Sequence, residues 1–253
     1  MKIRVISVLF LCMLSSCASK KKVLYLQDAS NEGINKVNYE SAKIQPNDIL
    51  KITVESLVPE ASIPYNKNIS QAQIAQNLQL LQLEGYLVSE QNTINFPVLG
   101  KIQTSNLTTE ELQNEIRQQL VSGGHLSNPT VSVRLLNAKI TILGEVNKPG
   151  TYNFTEQNIT LLQALGYAGD LTINGKREDI LVTREVDGVR KITHIDLTSS
   201  SFMSGDFYFI KPNDVIIVNP NNPRVKNAGF IGNINNVLTI ASLLLSVAIL
   251  VSR

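Results

Sequence analysis

The sequence predicts an α+β protein whose one or two small domains lie between two membrane-associated ends. Three observations support this prediction. Strand-like and helix-like segments are mixed through the middle of the 253-residue chain, a short apolar leader precedes them, and an uncharged apolar segment follows them. With 43% hydrophobic and 17% charged residues, the chain can bury a core, which excludes intrinsic disorder as its main state.

Charge and cysteine content exclude several classes of function. The formal net charge is +2, and removal of a leader with Lys2 and Arg4 would bring it to zero, so a polyanion-binding protein is not expected. Both cysteines, Cys12 and Cys17, lie near the start, which excludes a disulfide framework or a cysteine metal site downstream. The two histidines are far apart and lack ligand-type neighbours, so no metal site is predicted.

The start of the chain is typical of a lipoprotein signal peptide. Its apolar run is too short to span a bilayer as a helix. Leu14-Ser15-Ser16-Cys17 resembles the bacterial lipobox, in which the cysteine is acylated and becomes the new N-terminus. We therefore predict a signal peptide over 1–16, a covalent lipid on Cys17 and a lipid-anchored tether over 17–39. The alternative is an ordinary signal peptide that is cut near Ala18.

Three lysines follow the predicted lipid attachment site directly, at positions 20–22. Their ammonium groups can contact anionic lipid head groups, each contributing about 1 kcal/mol. A solvated tether is the alternative interpretation.

The middle of the chain contains turns and strands that can be assigned in order. Pro46-Asn47-Asp48 is turn chemistry that leads into an alternating strand over 49–54, and Pro212-Asn213-Asp214 leads into another over 215–218. Two domains are thus predicted to use the same turn as the entry to a strand. The Gln/Asn-rich segment 66–83 receives no assignment. Further strands are predicted at 86–88, 93–98, 131–135, 140–146, 151–154, 180–186 and 192–195.

Two helices are predicted from capping boxes. In the first, Thr108 and Glu111 can each satisfy a backbone N–H of the other residue, and Gly123-Gly124 ends the helix. In the second, Thr160 and Gln163 stand at the same spacing, and the helix is short. The predicted buried face of the first helix consists of Leu112, Ile116 and Leu120.

The end of the chain, residues 223–253, is predicted to hold a C-terminal outer-membrane helix. Residues 234–251 carry no charge, and as a helix they would be about 27 Å long, which suits a thin outer membrane. Four polar residues of this segment fall on one helical face. Two interpretations stay open, since the stripe can pack against other helices in lipid or can line a water-filled lumen. The predicted pore-lining residues are Asn235, Thr239, Ser242 and Ser246.

No catalytic motif is found in the sequence, which contains no nucleophile elbow, Walker loop or dinucleotide fingerprint. Asp170, Asp179 and Asp196 are candidates to line a sugar groove, but solvated surface positions are far more common for such residues. The sequence therefore predicts a protein that is not an enzyme and that uses no cofactor besides the covalent lipid.

Four segments together resemble the outer-membrane polysaccharide export proteins. The export domain of that family has a Pro-Gly-Asp turn before its first strand, a stretch ending in Pro-x-x-Gly, a helix that begins Leu-Thr-x-x-Glu-Leu, and then Pro-x-Val-x-Val. The matching segments have the same order and spacing. They are Pro46-Asn47-Asp48, Pro97-Val98-Leu99-Gly100, Leu107-Thr108-Thr109-Glu110-Glu111-Leu112 and Pro129-Thr130-Val131-Ser132-Val133.

The next stretch is similar to a soluble-ligand-binding β-grasp (SLBB) domain. Asn47 and Asn213 replace the usual Gly of the two turns, which is tolerable because Asn accepts left-handed conformations. Asp170 replaces the second Gly of the common Ala-Gly-Gly. With a single β-grasp segment, a shorter periplasmic reach is expected. The matching segments are Gly144-Glu145-Val146-Asn147-Lys148-Pro149-Gly150-Thr151-Tyr152, Leu161-Leu162-Gln163-Ala164-Leu165, Ala168-Gly169-Asp170 and Pro212-Asn213-Asp214.

The resemblance implies a polysaccharide-export α/β domain over 40–136, an SLBB β-grasp domain over 137–222 and a single C-terminal transmembrane helix over 223–253. It also implies a ring-shaped homo-oligomer, octameric in the best-known relatives, with its bulk in the periplasm. The C-terminal helices would form an outer-membrane pore for capsular or extracellular polysaccharide, fed by an inner-membrane copolymerase, and no nucleic acid is involved.

The alternative is a lipid-anchored periplasmic protein that binds sugar or peptidoglycan without a pore. A hydrolase is disfavoured because no paired-carboxylate or triad signature is present.

Overall fold

The computed structural model describes residues 23–29, 39–67, 78–186, 188–222, 224–225, 238–240, 242–243, 246–247 and 250. These residues form two units of mixed sheets and helices, each with its own buried hydrophobic cluster. The half-buried Leu135 packs against both clusters, so the two cores meet where the first unit ends.

The first unit is built on a three-stranded antiparallel sheet. Strand β1 (Ile49–Glu55) lies between β2 (Tyr86–Leu87) and β5 (Thr130–Leu135), and β3 (Thr93–Phe96) forms a hairpin with β4 (Gly100–Gln103). Alternate residues of β1 point into the core because side chains of a strand alternate between its faces. Between β1 and β2 lie α1 (Pro59–Ser62), a 3₁₀ turn (Ile63–Tyr65) and α2 (Leu78–Leu83).

Helix α3 (Thr109–Ser122) covers this sheet and confirms the capping box predicted from the sequence. The Glu111 N–H donates to Thr108 Oγ1 at 3.2 Å, and the Thr108 N–H donates to the Glu111 carboxylate at 2.7 Å. The buried face is also the predicted one. It consists of Leu112, Ile116 and Leu120, none of which has measurable exposure.

The second unit is built on a five-stranded mixed sheet. In order across the sheet, its strands are β10 (Val189–Ile195), β9 (Gly175–Val186), β12 (Val215–Pro220), β6 (Lys139–Gly144) and β7 (Gly150–Asn153). Its central strand β12 pairs parallel with β6 and antiparallel with β9. Helix α4 (Leu161–Tyr167) begins with the second predicted capping box, and its buried residues complete the core. The remaining strands, β8 (Ile159–Thr160) and β11 (Phe209–Ile210), pair with each other.

The pairing of these strands gives the second unit two distinct ends. At one end, which we call the near end, β6 and β12 begin and β9 finishes. At the other, which we call the far end, Gly144 finishes β6, Pro220 finishes β12 and Gly175 begins β9.

The first unit contacts the near end of the second. Asn137, between β5 and β6, accepts from the Ile49 N–H at 2.9 Å and donates to the Asn47 carbonyl at 2.9 Å. Gln45 Nε2 donates to the Glu185 carbonyl near the finish of β9 at 3.3 Å. The side-chain amide of Asn137 thus connects the start of β1 with the start of β6.

One expectation from the sequence is wrong. Among the residues that the structure describes, no helix is long and apolar enough to cross a membrane, so the single C-terminal transmembrane helix is not supported. A membrane-spanning helix needs about twenty predominantly apolar residues, and apolar composition such as that of 234–251 does not by itself establish one.

Candidate functional site

The residues predicted as sites from the sequence are only partly within the described ranges. Cys17 and Asn235 lie outside them. Thr239, Ser242 and Ser246 are helical and exposed. Ser242 Oγ donates to the Thr239 carbonyl and Ser246 Oγ to the Ser242 carbonyl, both at 2.8 Å, so these hydroxyls bond their own backbone. Lipid attachment at Cys17 and pore lining by the polar stripe stay predictions.

A cleft of about 420 Å³ lies between the two units. Residues 41–44 and the start of α3 contribute to it from the first unit, and the loop 154–157 contributes from the second. The charged side chains at the cleft are of both signs. They are Lys43, Asp48, Arg134 and Glu156. A lining with donors and acceptors of both charges suits an uncharged, hydroxyl-rich ligand better than a polyanion.

The most buried charged group in this lining is Asp48, the last residue of the first Pro-Asn-Asp turn. Its side chain is 4% exposed. Oδ2 accepts the Gln45 N–H at 2.9 Å, and the Asp48 N–H donates back to the Gln45 carbonyl at 3.1 Å, which closes the turn that starts β1. Burial raises the pKa of this carboxyl to about 6, because the ionised form loses hydration that one backbone hydrogen bond does not replace.

The second Pro-Asn-Asp turn repeats this geometry. Asp214 Oδ2 accepts the Lys211 N–H at 2.8 Å. Asn47 and Asn213 both adopt positive φ, 70° and 67°, at the position where the resembling family has Gly. The predicted use of one turn for two strand entries is therefore confirmed.

Asp214 differs from Asp48 in its charge partner. The Arg184 guanidinium forms a fork on the carboxylate, with Nε to Oδ1 at 2.9 Å and Nη2 to Oδ2 at 2.7 Å. Arg184 also donates to the carbonyls of Asp206 and Phe209 and lies over the Phe207 ring. Burial raises the pKa of Asp214 while Arg184 opposes the rise. This pair was not predicted from the sequence, although an arginine in phase with Ile180 and Val182 of a strand was a usable signal.

The three aspartates considered for a sugar groove have separate partners. Asp170 binds Tyr25, and Asp196 accepts from the N–H and hydroxyl of Thr198. Asp179 accepts from Lys176 and pairs with His194 at an exposed site, and these contacts, that of Lys176 first, lower its pKa. Within the described part of the chain, no cluster of three or more His, Cys, Asp or Glu side chains can hold a metal ion.

Residues 23–29, which the sequence analysis placed in a tether, pack against the second unit, and we call them the strap. The Leu26 N–H donates to the Leu197 carbonyl at 3.0 Å, and the Gln27 N–H to the Thr198 carbonyl at 2.7 Å. The Asp28 carboxylate accepts from the Ser200 N–H at 2.6 Å and the Ser199 hydroxyl at 2.9 Å. The strap therefore holds the backbone of 197–200 at several points.

Tyr25 anchors the strap to the loop that follows α4. Its hydroxyl donates to Asp170 Oδ1 at 2.5 Å, and the Arg177 guanidinium lies 5.2 Å from its ring centroid. Burial, and then the bond to Asp170, raises the pKa of Tyr25. Asp170 has φ 71° at the position where the resembling family has Gly. The apolar run that includes Tyr25 and Leu26, directly after the lysines, was the available sequence signal for this contact.

Comparison with known proteins gives two matches in tandem. Residues 37–136 match the model of the polysaccharide biosynthesis/export protein family, and residues 138–218 match that of the SLBB domain. The chain is 31% identical over 140 residues to the EPS I polysaccharide export outer membrane protein EpsA of Ralstonia solanacearum, covering 51% of this chain and 37% of that protein. It is 32% identical over 106 residues to EpsA of Ralstonia nicotianae, covering 40% and 27%. The aligned parts thus span about a third of these relatives.

Proposed function

The chain belongs to the polysaccharide biosynthesis/export protein family, and we propose that it takes part in moving an extracellular polysaccharide across the outer membrane. The observation that carries this proposal is the tandem match of both units to the export and SLBB models, in the order of the chain. The names of the relatives, which describe export of EPS I polysaccharide at the outer membrane, support it. The family is one of export proteins and not of enzymes.

We propose further that the mature protein is held at the outer membrane by a lipid on Cys17, with its bulk in the periplasm. The lipobox residues that end at Cys17 support this attachment. The docked strap begins six residues later, so an anchor at Cys17 would connect directly to folded protein.

Polymer export also requires a passage wider than one chain provides. The interunit cleft of about 420 Å³ accommodates a few sugar residues at most. We therefore propose that several copies assemble around the path of the polymer, with an inner-membrane copolymerase supplying it. The proposal uses no membrane-crossing C-terminal helix, since the described residues contain none.

A second candidate function is a lipid-anchored protein that binds sugar or peptidoglycan and forms no passage. The polar cleft beside Asp48 favours a ligand-binding protein over one with a purely structural role. It predicts single copies in detergent extracts, where the export proposal predicts oligomers, and blue-native electrophoresis separates the two.

The test of the export proposal is genetic. In a deletion strain of the encoding organism, the intact gene should restore extracellular polysaccharide, and Cys17→Ser should not, because the protein would lack its anchor. The matched control is Cys12→Ser, which lies in the leader and should restore export fully. Unchanged extracellular polysaccharide in the deletion strain would contradict the export role. Full rescue by Cys17→Ser would contradict the lipid anchor but would leave the export role intact.

A further inference from the structure

One edge of strand β5 faces the interunit cleft. In the described part of the chain β5 is the outer strand of its sheet, and residues 132–136 line the cleft. The Leu136 N–H donates to the Ile49 carbonyl at 2.8 Å. Because opposite residues of an antiparallel pair alternate between bonded and non-bonded pairs, the backbone groups of Val133 and Leu135 point away from β1. This edge therefore offers two N–H donors and two carbonyl acceptors to the cleft.

Asp48 adds a carboxylate oxygen to the same cleft. Its side chain is almost completely buried, and Oδ2 accepts the Gln45 N–H. Oδ1 has no donor among the residues that the structure describes. Asp48 also lines a second cavity, of about 160 Å³, that shares Lys43 and Pro212 with the cleft. A buried acceptor without a donor is costly, so a ligand that donates a hydrogen bond to Oδ1 would be stabilised there.

Polar side chains without hydrogen-bond partners surround these groups. Leu136 and Phe154 add apolar surface between them. The polar side chains come from four separate segments of both units, and within the described ranges none of them makes a hydrogen bond. They are Lys43, Gln113, Arg134 and Gln157. The cleft thus combines an apolar wall with donors and acceptors that are free to bind a ligand.

A hydroxyl-rich sugar fits this lining better than a polyanion or an extended peptide. The four charged side chains of the cleft, two of each sign, do not favour a strongly charged ligand. Sugar hydroxyls both donate and accept, as the strand edge and Asp48 Oδ1 require. A peptide that adds a strand needs a longer edge, since the distance from Val133 to Leu135 along the strand is only about 7 Å.

We propose that the interunit cleft binds an uncharged stretch of two or three sugars, with Asp48 Oδ1 accepting from one hydroxyl and the edge of β5 bonding others. The inference rests on the proposed function, since these sugars would belong to the exported polymer. The volume of about 420 Å³ suits a ligand of this size. Because both units line the cleft, the bound sugars would contact both.

The test measures binding of neutral sugar fragments to the full-length protein in detergent. Fragments of two to four sugars are released by partial acid hydrolysis from the polysaccharide that the intact gene restores, and they are separated by charge and labelled at one end. Fluorescence anisotropy gives their affinity. We expect Asp48→Asn to weaken binding of neutral fragments about tenfold or more, because the variant places an amide NH₂ where Oδ1 accepts.

Two further variants accompany Asp48→Asn. Gln157→Ala removes a donor on the wall of the second unit and should weaken binding about threefold, and this exposed position tests the cleft even if Asp48→Asn fails to fold. The matched control is Asp179→Asn. Asp179 binds Lys176 and His194 outside the cleft, so this variant should bind the fragments like the parent.

Hydrogen exchange locates the bound sugar on β5. In the free protein, the amides of Val133 and Leu135 should exchange faster than those of Ser132 and Arg134, which point toward β1. Bound neutral fragments should slow exchange at 133 and 135 and leave 132 and 134 unchanged. Mass spectrometry with residue-level fragmentation measures all four amides in one experiment.

The outcomes separate this inference from the proposed function. No binding of neutral fragments, equal affinity of the parent and Asp48→Asn, or no protection at 133 and 135 would overturn the inference. Tighter binding of acidic fragments would also overturn it. Protection of these amides by a peptide of alternating valine and threonine, and not by sugar, would identify a strand-addition site instead. The proposed function would be contradicted only by unchanged extracellular polysaccharide in the deletion strain.

Discussion

Asp48 and Asp214 occupy the same position in two copies of one turn but differ in what compensates their charge. Each accepts the N–H of the residue three positions earlier. Asp214 also binds Arg184, whereas in the described residues Asp48 has no salt bridge. A buried carboxylate without a cation is costly in its ionised form. We therefore expect neutralisation of the side chain to have opposite effects at the two positions, because only at Asp214 would it leave a buried cation without its partner.

This contrast predicts the effect of Asp48→Asn. The pKa of Asp48 is about 6 when folded and near its ordinary value of 3.8 when unfolded, so its contribution to stability is fully present below pH 3.8 and is lost as the pH rises through 6. That contribution is at most about 3 kcal/mol. Asn keeps an acceptor for the Gln45 N–H but has no proton to lose. We therefore expect Asp48→Asn to be more stable than the parent at pH 7.5, with the advantage shrinking toward pH 4.

Urea unfolding followed by circular dichroism at the two pH values measures this difference. The control is Asp214→Asn, which leaves Arg184 buried without a counter-charge and should lose about 3–5 kcal/mol at pH 7.5. A loss of stability in Asp48→Asn at pH 7.5 would show that the Asp48 carboxylate has a compensating partner in solution.

At the level of elements, the backbones of the parallel strands β6 and β12 come very close together at Gly144. Gly144 has φ +89°, and a Cβ at this position would lie 2.1 Å from the Val218 carbonyl oxygen. Gly124, after α3, also has a positive φ, +69°, but a Cβ there would meet nothing within 4 Å. The two positions separate the cost of a left-handed backbone from the cost of a steric clash.

We expect Gly124→Ala to lose about 1 kcal/mol, the usual cost of a left-handed conformation for a residue with a Cβ. Gly144→Ala should lose that amount and the additional cost of separating β6 from β12, so we expect more than about 3 kcal/mol or failure to fold. Thermal unfolding of the two variants measures the difference. Equal losses would mean that the strands move apart at little cost.

At the level of elements, the sequence predicted best the features that depend on neighbouring residues. Both capping boxes are confirmed, because the partners of Thr108 and Thr160 lie three residues away. The strand predicted at 180–186 in fact begins at Gly175, which pairs with the distant Pro220 of β12. The capping of a helix is thus local, whereas the start of this strand is set by a distant segment.

At the scale of the whole molecule, the strap shows why the remaining features could not be predicted. Its partners are distant in sequence, since 145 residues separate Tyr25 from Asp170 and 171 separate Asp28 from Ser199. The apolar run with Tyr25 and Leu26 indicates that this segment can pack against folded protein, but it does not identify partners so distant in the sequence. The predicted C-terminal transmembrane helix was inferred from apolar composition alone, and the described residues contain no helix that is long and apolar enough to cross a membrane.

The strap also leads to a prediction about how the molecule is stabilised. We expect a fragment of residues 23–225 to be more stable than a fragment of residues 39–225, because Tyr25 and Leu26 pack on the second core and Asp28 binds Ser199 and Ser200. Tyr25 and Leu26 are partly buried, so each contributes less than the roughly 1.5–3 kcal/mol of a fully buried side chain, and ordering the backbone offsets part of this gain. A net difference of about 2 kcal/mol is therefore expected in the second unit.

Hydrogen exchange measures this difference residue by residue. Without the strap, the Ser200 N–H loses its acceptor on Asp28, so exchange should accelerate at residues 197–200. The internal control is β1 of the first unit, whose amides bond to β2 and β5 and should exchange equally in both fragments. Faster exchange in β1 as well would mean that the two units unfold as one body through the Asn137 contacts. Equal exchange at 197–200 in both fragments would show that the strap does not dock in solution, and the 23–29 segment would then act as the free tether that its sequence pattern predicted.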